Sequence, residues 1–249
     1  MKRRMLALAI AMICSFATYA QTADAILAKY YENTGGIDKW KALTGIKISL
    51  KLNQGGMEIP LDMYQLKDGR QMTVINFQGM KIMQNVFDGT TLWGNNPANM
   101  KPEKSDAEKT ENFKKDATDF PDAFLNYKAR GYKIEVVGKE KVDGTDAFKL
   151  KITKNPVKVN GVAVENVVFY YFDTDYYVPV MMEQEIKSGP GKGSISQIKM
   201  SEYQDVSGFM MPFALLQGVK GGPLTPLTAT AVEINPKVDD AAFKFPEVK

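Results

Sequence analysis

Two pairs of carboxylates are the residues of this chain best spaced for chemistry. Glu183 and Glu185 lie two apart, so on a β-strand they share one face. Paired carboxylates, one protonated and one ionised, are enough for acid–base hydrolysis. The solvated outer face of a strand shows the same pattern, and that is the favoured reading. Asp173 and Asp175 flank a turn, where oxygen ligands could meet a hard cation. The rest of a calcium-binding loop is missing, and aspartate caps turns on its own account. No metal and no cofactor are expected.

Other catalytic chemistry is short of residues. The chain has no histidine, which removes the commonest general base, metal ligand and triad partner. Its one cysteine, Cys14, lies in an apolar N-terminal run, so thiol catalysis and thiolate metal sites are not expected. No glycine loop stands between a strand and a helix to cradle a phosphate. The stronger signal is apolar. Eleven methionines follow residue 20, and all but Met100 fall in expected strands. Methionine is flexible and polarisable, so it suits surfaces that adapt to varied apolar partners. Much of it also fills ordinary cores. Aromatic residues accompany it. The candidate lining of an apolar cavity is Met63, Met72, Met83, Phe87, Trp93, Phe124, Phe169, Tyr171, Met181 and Phe213.

The elements that would position these residues can be read in order. Met1 to Ala20 has the form of a secretory leader: Lys2, Arg3 and Arg4, an apolar run from Met5 to Phe16, and small residues before Gln21. Cleavage after Ala20 and export to the periplasm are expected. No small residue precedes Cys14, so lipidation is not expected. The chain has 32 Lys+Arg and 29 Asp+Glu; three of the basic residues belong to the leader, so the remainder carries no net charge. Net charge therefore gives no attraction to nucleic acid or to an anionic membrane. Residues 21–249 are expected to form a single monomeric domain.

Thr22 caps a helix from Ala23 to Asn33, and a short helix follows from Ile37 to Leu43. Strands then recur about every ten residues. Pro60 marks its strand as an edge or a bulge. Ser105 opens a capping box for a charged helix to Ala117, and Asp119-Phe-Pro121 starts a second, with Phe120, Phe124, Leu125 and Tyr127 as its stripe. After that insertion, the chain from Gly131 to Lys187 reads as four antiparallel strands turning at Asp143-Gly144, Asn160-Gly161 and Asp173-Thr174. One of them is apolar on both faces: Val167, Phe169 and Tyr171 on one, Val168, Tyr170 and Phe172 on the other. Such a strand is covered on both sides, or lines a cavity on one. Three more strands and a tail with Phe243 and Phe245 complete the chain. The expected fold is α+β: a large curved antiparallel sheet of about eleven strands with helices on one side.

The order of these features resembles one family. A leader and a first helix ending in Gly35-Gly36 precede a short helix containing Trp40. The hairpin Gly138-Lys-Glu-Lys-Val-Asp-Gly144 leads into Phe148-Lys-Leu-Lys-Ile152. Tyr170-Tyr-Phe-Asp173, Val178-Pro-Val180 and a closing Phe243-Lys-Phe-Pro246 follow. The chain is similar to the periplasmic lipoprotein-carrier superfamily, the LolA/LolB-like outer membrane lipoprotein-sorting proteins. That resemblance implies an unclosed β-barrel with helices covering an apolar cavity on its concave side. It implies an acylated lipoprotein or lipid as ligand, an inner-membrane transporter as donor and an outer-membrane acceptor. The lipobox cysteine of the receptor branch is absent, which favours the soluble carrier branch. The carrier's functional arginine lies early in its sheet, and Arg70 is the only arginine in the early strands here. The alternative is a sensor or protein-interaction module on the same half-barrel, with Pro60 and Gly221 to Pro226 as partner surfaces. A carboxylate hydrolase is the third reading; the first two are not enzymes.

Overall fold

The computed structural model describes residues 21–246, so the expected leader, Met1 to Ala20, lies outside the described residues. Helix α1, Ala23–Asn33, begins where the Thr22 hydroxyl accepts the Ala25 N–H at 3.2 Å. It ends at Gly35, whose φ is +125° and whose missing Cβ would lie 2.3 Å from the Gly208 carbonyl oxygen. Only glycine permits that approach of helix end to sheet turn. Helix α2, Ile37–Ala42, follows directly.

Thirteen strands then form one sheet among the described residues, each antiparallel to its neighbours. The first six are β1 (Gly45–Gln54), β2 (Met57–Leu66), β3 (Gln71–Phe77), β4 (Met80–Phe87), β5 (Leu92–Asn95) and β6 (Pro102–Lys104). Helix α3, Ala107–Ala117, and an irregular stretch to residue 132 lead to β7 (Lys133–Val142) and β8 (Thr145–Val159). The last five are β9 (Val162–Asp173), β10 (Pro179–Glu185), β11 (Ile195–Val206), β12 (Phe209–Val219) and β13 (Leu224–Ile234). The spatial order is β6-β5-β4-β3-β2-β1-β13-β12-β11-β10-β9-β8-β7. The chain walks outward from β1 to one edge, crosses, and walks back to pair β13 with β1. Edges remain at β6 and β7, so the sheet is an unclosed half-barrel. Thirteen strands replace the expected eleven; β6 is three residues of a stretch with loop composition. The β7 edge is guarded by a bulge between Val136 and Gly138 and by Lys133, Glu135, Lys139, Glu140 and Lys141.

Register separates two faces. Ile46 and Ile48 pair with Ile234 and Val232, and all four pack beneath the helices, as do Phe148, Leu150, Ile152 and Phe172. This is the inner face. Ile26, Leu27, Tyr30 and Tyr31 of α1 and Trp40 of α2 are buried against it. Each contributes roughly 2 kcal/mol by leaving water. The helices fill the end of the inner face where β1 begins and β13 finishes. The outer face has separate covers. Phe243, in the 3-10 turn Asp240–Phe243, and Phe245 lie over Leu66, Met72, Val86 and Trp93. The Trp93 indole N–H donates to the Phe243 carbonyl at 2.8 Å.

Three local expectations are corrected. Helix α3 is capped by Asp106, whose carboxylate accepts the Lys109 N–H at 2.7 Å, and Ser105 precedes it. The second helix of the insertion does not form. The Asp122 carboxylate accepts the N–H groups of both Phe124 and Leu125, and Asn126 is left-handed at φ 58°, so the chain from 118 to 131 runs in successive turns. Its Phe120, Phe124 and Leu125 are nonetheless buried in the inner core. Pro60 lies in the interior strand β2, but the β2–β3 ladder begins only at Leu61, so its missing N–H interrupts no pairing on that side.

Candidate functional site: recesses on both faces of the sheet

The inner face is only part filled. Beyond the helices, Leu50, Leu61, Leu227 and Ala229 form a buried row, flanked by half-buried Leu52, Met63, Ile75, Phe213 and Leu215. Thr73, opposite Met63, is the polar residue set among them. Two residues along β2 from Met63 is Gln65, which lines a recess of about 330 Å³ between the sheet and the α3 insertion. Phe113, Phe120 and Ala123 roof it; Val168, Tyr170, Met182 and Gln184 form its far wall. Its volume falls in the range of ligand sites, about 300–1,000 Å³.

The roof is fastened by charge. Lys154, on β8, has a side chain only 8% exposed and pairs with both Asp116 and, at 2.6 Å, Asp119. Asp119 also takes Arg130 at 3.1 Å and the Tyr132 hydroxyl at 2.8 Å. The hydroxyls of Tyr31 and Tyr30 on α1 donate to the Asp122 carboxylate at 2.9 and 3.3 Å. Burial pushes the Asp122 carboxyl above its ordinary value despite these donors. Burial and the adjoining carboxylate push both tyrosines upward too.

A larger groove, about 730 Å³, opens mainly on the outer face. It lies between the β7–β8 turn, the β9–β10 turn and strands β11 and β12. Val142, Val178, Val180, Met210 and Leu216 give it apolar walls. Lys199 and Asp143 meet across it at 2.8 Å. Beside it Glu183 is buried, 5% exposed. It accepts from the Tyr171 hydroxyl at 2.9 Å and the Gln197 amide at 2.8 Å, and pairs with Lys220 at 3.0 Å. Burial opposes its charge, but these donors outweigh burial and hold the carboxyl below its ordinary value. Burial pushes the Tyr171 phenol up to about 12. Glu185 pairs separately with Lys187. The two glutamates do not share a site: one is enclosed by donors and the other is tied at the strand's end. Asp173 accepts the N–H groups of Asp175 and Tyr176, the cap of its own turn.

The ten candidate cavity residues are dispersed over both faces. Met63 and Phe213 stand on the half-buried inner wall. Phe124 is enclosed in the helix core, and Phe87 is sealed beneath Phe113 of α3 at 5.4 Å between ring centres. Met72, Met83 and Trp93 lie on the outer face under Phe243 and Phe245. Phe169, Tyr171 and Met181 are also on the outer face, packed with Val142 and Ala147. The Lys149 ammonium lies 5.1 Å from the Phe169 ring and 5.2 Å from the Tyr171 ring. Arg70 reaches none of the recesses. It pairs with Asp68 and Asp240 and lies 5.1 Å over the Phe243 ring, so it straps the C-terminal segment down. Leu52, Ile75 and Leu215 also belong to the inner wall, and nothing in their residue type distinguishes them in the sequence from ordinary core leucine and isoleucine. For the groove, no periodic signal existed at Val180, which sits at a register shift in β10.

No protein-family model matches the chain, and no curated protein matches it in sequence. Solved structures do match. A LolA superfamily protein from Nitrosomonas europaea aligns over 90% of this chain and 97% of its own, with TM-score 0.53 and 15% identity. A DUF1329 family protein from Desulfovibrio piger aligns over 84% and 92%, with TM-score 0.51 and 16% identity. A putative outer membrane lipoprotein-sorting protein domain from Vibrio parahaemolyticus aligns over 88% and 94%, with TM-score 0.50 and 12% identity. At these identities the likeness establishes a common fold and nothing beyond it.

Proposed function

We propose that this chain is an exported, periplasmic, monomeric carrier that holds the acyl chain of a lipoprotein or another lipid on the inner face of its half-barrel. Its single domain spans residues 21–249, after removal of a leader ending at Ala20. One observation carries the reading: above the helix-filled end, Leu52, Met63, Ile75, Phe213 and Leu215 are left half-buried on the concave side of a sheet whose helices stop short of them. A wall of this kind gains stability by closing on an apolar chain. Lipoprotein sorting, with a membrane donor and acceptor, is the process such a carrier would serve. The reading is non-enzymatic, since Glu183 has its oxygens occupied by three donors and no proton to give at neutral pH. The test is native mass spectrometry of the mature chain, delipidated and then offered phospholipid and acylated peptide. One lipid per chain is expected, with uptake lost in Ile75→Asp/Phe213→Asp and kept in Leu216→Asp. A chain that stays apo would sink the proposal, and loss only in Leu216→Asp would move the site to the outer groove.

That groove favours a second reading, an interaction module that seats a partner protein. Its specific support is its size and the exposure of Tyr176 and Leu216 at its margin, 70% and 38%.

A further inference from the structure

Antiparallel order sorts the turns of this sheet. The β1–β2, β3–β4, β10–β11 and β12–β13 turns all fall at one end, opposite the end that α1 and α2 fill. These turns, residues 53–57, 76–81, 186–194 and 218–224, contain Lys81, Lys187, Lys192 and Lys220 and not one Asp or Glu. Lys187 and Lys220 pair with glutamates set back on β10, whereas Lys81 and Lys192 have no ion-pair partner among the described residues. A molecule whose leaderless charge is zero thus has one basic end. The same end is apolar at its tips. Met57 is 51% exposed, Met80 48% and Val219 41%, and Val162 beside them on the β8–β9 turn is 64% exposed. These are four of the nine large hydrophobic residues that the described chain leaves exposed.

We infer that this end is a docking face for an anionic lipid bilayer. Methionine and valine at protruding tips suit the boundary between headgroups and acyl chains, and the two lysines without an ion-pair partner among the described residues, Lys81 and Lys192, suit the phosphates around them. Glu185, Glu183 and Glu58 stand at the roots of these turns and are taken up by Lys187, Lys220 and Lys51, which leaves the charge of Lys81 and Lys192 in excess at the tips. The face adjoins the half-buried wall of Leu52, Ile75 and Leu215. If that wall carries a lipid, docking brings its mouth to the membrane; only this consequence rests on the carrier reading.

Flotation of the purified mature chain with vesicles tests the inference. The chain should float with vesicles of phosphatidylcholine mixed with phosphatidylglycerol, and not with phosphatidylcholine alone. Binding should fall away toward about 1 M salt, where the Debye length is about 3 Å. Lys81→Gln/Lys192→Gln should weaken partitioning by about fivefold per lysine. Met57→Asp/Met80→Asp/Val219→Asp should abolish flotation, while Val137→Asp, at an equally exposed residue on the β7 edge, should leave it unchanged. Ile75→Asp/Phe213→Asp should still float, even where it no longer takes up lipid in the mass spectrometer, which separates docking from carriage. No flotation on anionic vesicles, equal flotation on neutral ones, or normal flotation of the lysine variant would overturn the inference and leave a protein as the occupant of this face.

Discussion

Glu183 shows how a residue suited to catalysis becomes structural. Its carboxylate is enclosed by Tyr171, Gln197 and Lys220, so removing it strands a buried hydroxyl and a buried amide. Lys220 is 55% exposed and can return to water, which keeps the loss below that of a fully buried ion pair. Glu183→Ala should therefore lower stability by about 2 kcal/mol in urea titrations. The pH dependence has a definite sign. The folded carboxyl is held below its ordinary 4.5, so its contribution is complete above that value and lost as pH falls through the lower, folded one. The stability difference between the wild-type chain and Glu183→Gln should stay constant from neutral pH to about 5 and shrink below about 4.5. A difference that grew on acidification would mean the carboxyl is raised, as an acid catalyst's would be.

Among the elements, the insertion between β6 and β7 depends most on individual side chains. It has one short helix and a run of turns, so its own backbone stabilises it little, and Asp122 supplies the missing order. Four donors converge there: two N–H groups of the insertion and two hydroxyls of α1. Asp122→Ala should cost about 3 kcal/mol. Hydrogen exchange should rise across residues 118–131 while β8 and β9 stay protected; a uniform rise would show that the insertion is no separate unit. This stretch also marks where sequence reading stops. Phe120, Phe124 and Leu125 were legible as a buried stripe, but the helix expected to present them was displaced by an aspartate–backbone bond that propensity does not weigh. The strands were legible because Asp143-Gly144 and Asn160-Gly161 fix hairpins locally. Alternation placed Tyr171 and Phe169 on one face of β9 and Phe172 on the other, yet could not say which face the helices would take. That choice is made by contacts such as Tyr30 on Phe172, far apart in the chain, and it sent Tyr171 and Met181 outward while Met63 and Phe213 stayed inside.

At the scale of the molecule, the question is whether a sheet this wide folds as one. Within the sheet its two wings, β2–β6 and β7–β12, are joined only through the β1–β13 ladder, and across the inner face they are bridged by α3, whose Phe113 packs on Phe87 of β4 and whose Asp116 pairs with Lys154 of β8. Two further features keep one wing from melting first. The ladder is long, from Ile46 opposite Ile234 to Leu52 opposite Leu227; the helices cover its inner face at one end, and at the other its own Leu50, Leu227 and Ala229 are buried with Leu61 of β2. The chain also ends on the far wing: after β13, Phe243 and Phe245 cross to β3–β5, and Arg70 ties them there through Asp240. The last strands therefore cannot leave the sheet without uncovering the first. The two tryptophans report on the two sides, Trp40 against Phe209 of β12 and Trp93 against Phe245. In each of the single-tryptophan variants Trp40→Phe and Trp93→Phe, fluorescence and far-ultraviolet circular dichroism should give one coincident urea midpoint, as a cooperative unit requires. Phe243→Ala should lower that midpoint for Trp40 as much as for Trp93, because loss of a buried ring, about 3–5 kcal/mol, would be shared by the whole sheet. If only Trp93 responded, the wings would be separate cooperative units, and the C-terminal segment would be a local cover rather than the closure of the fold.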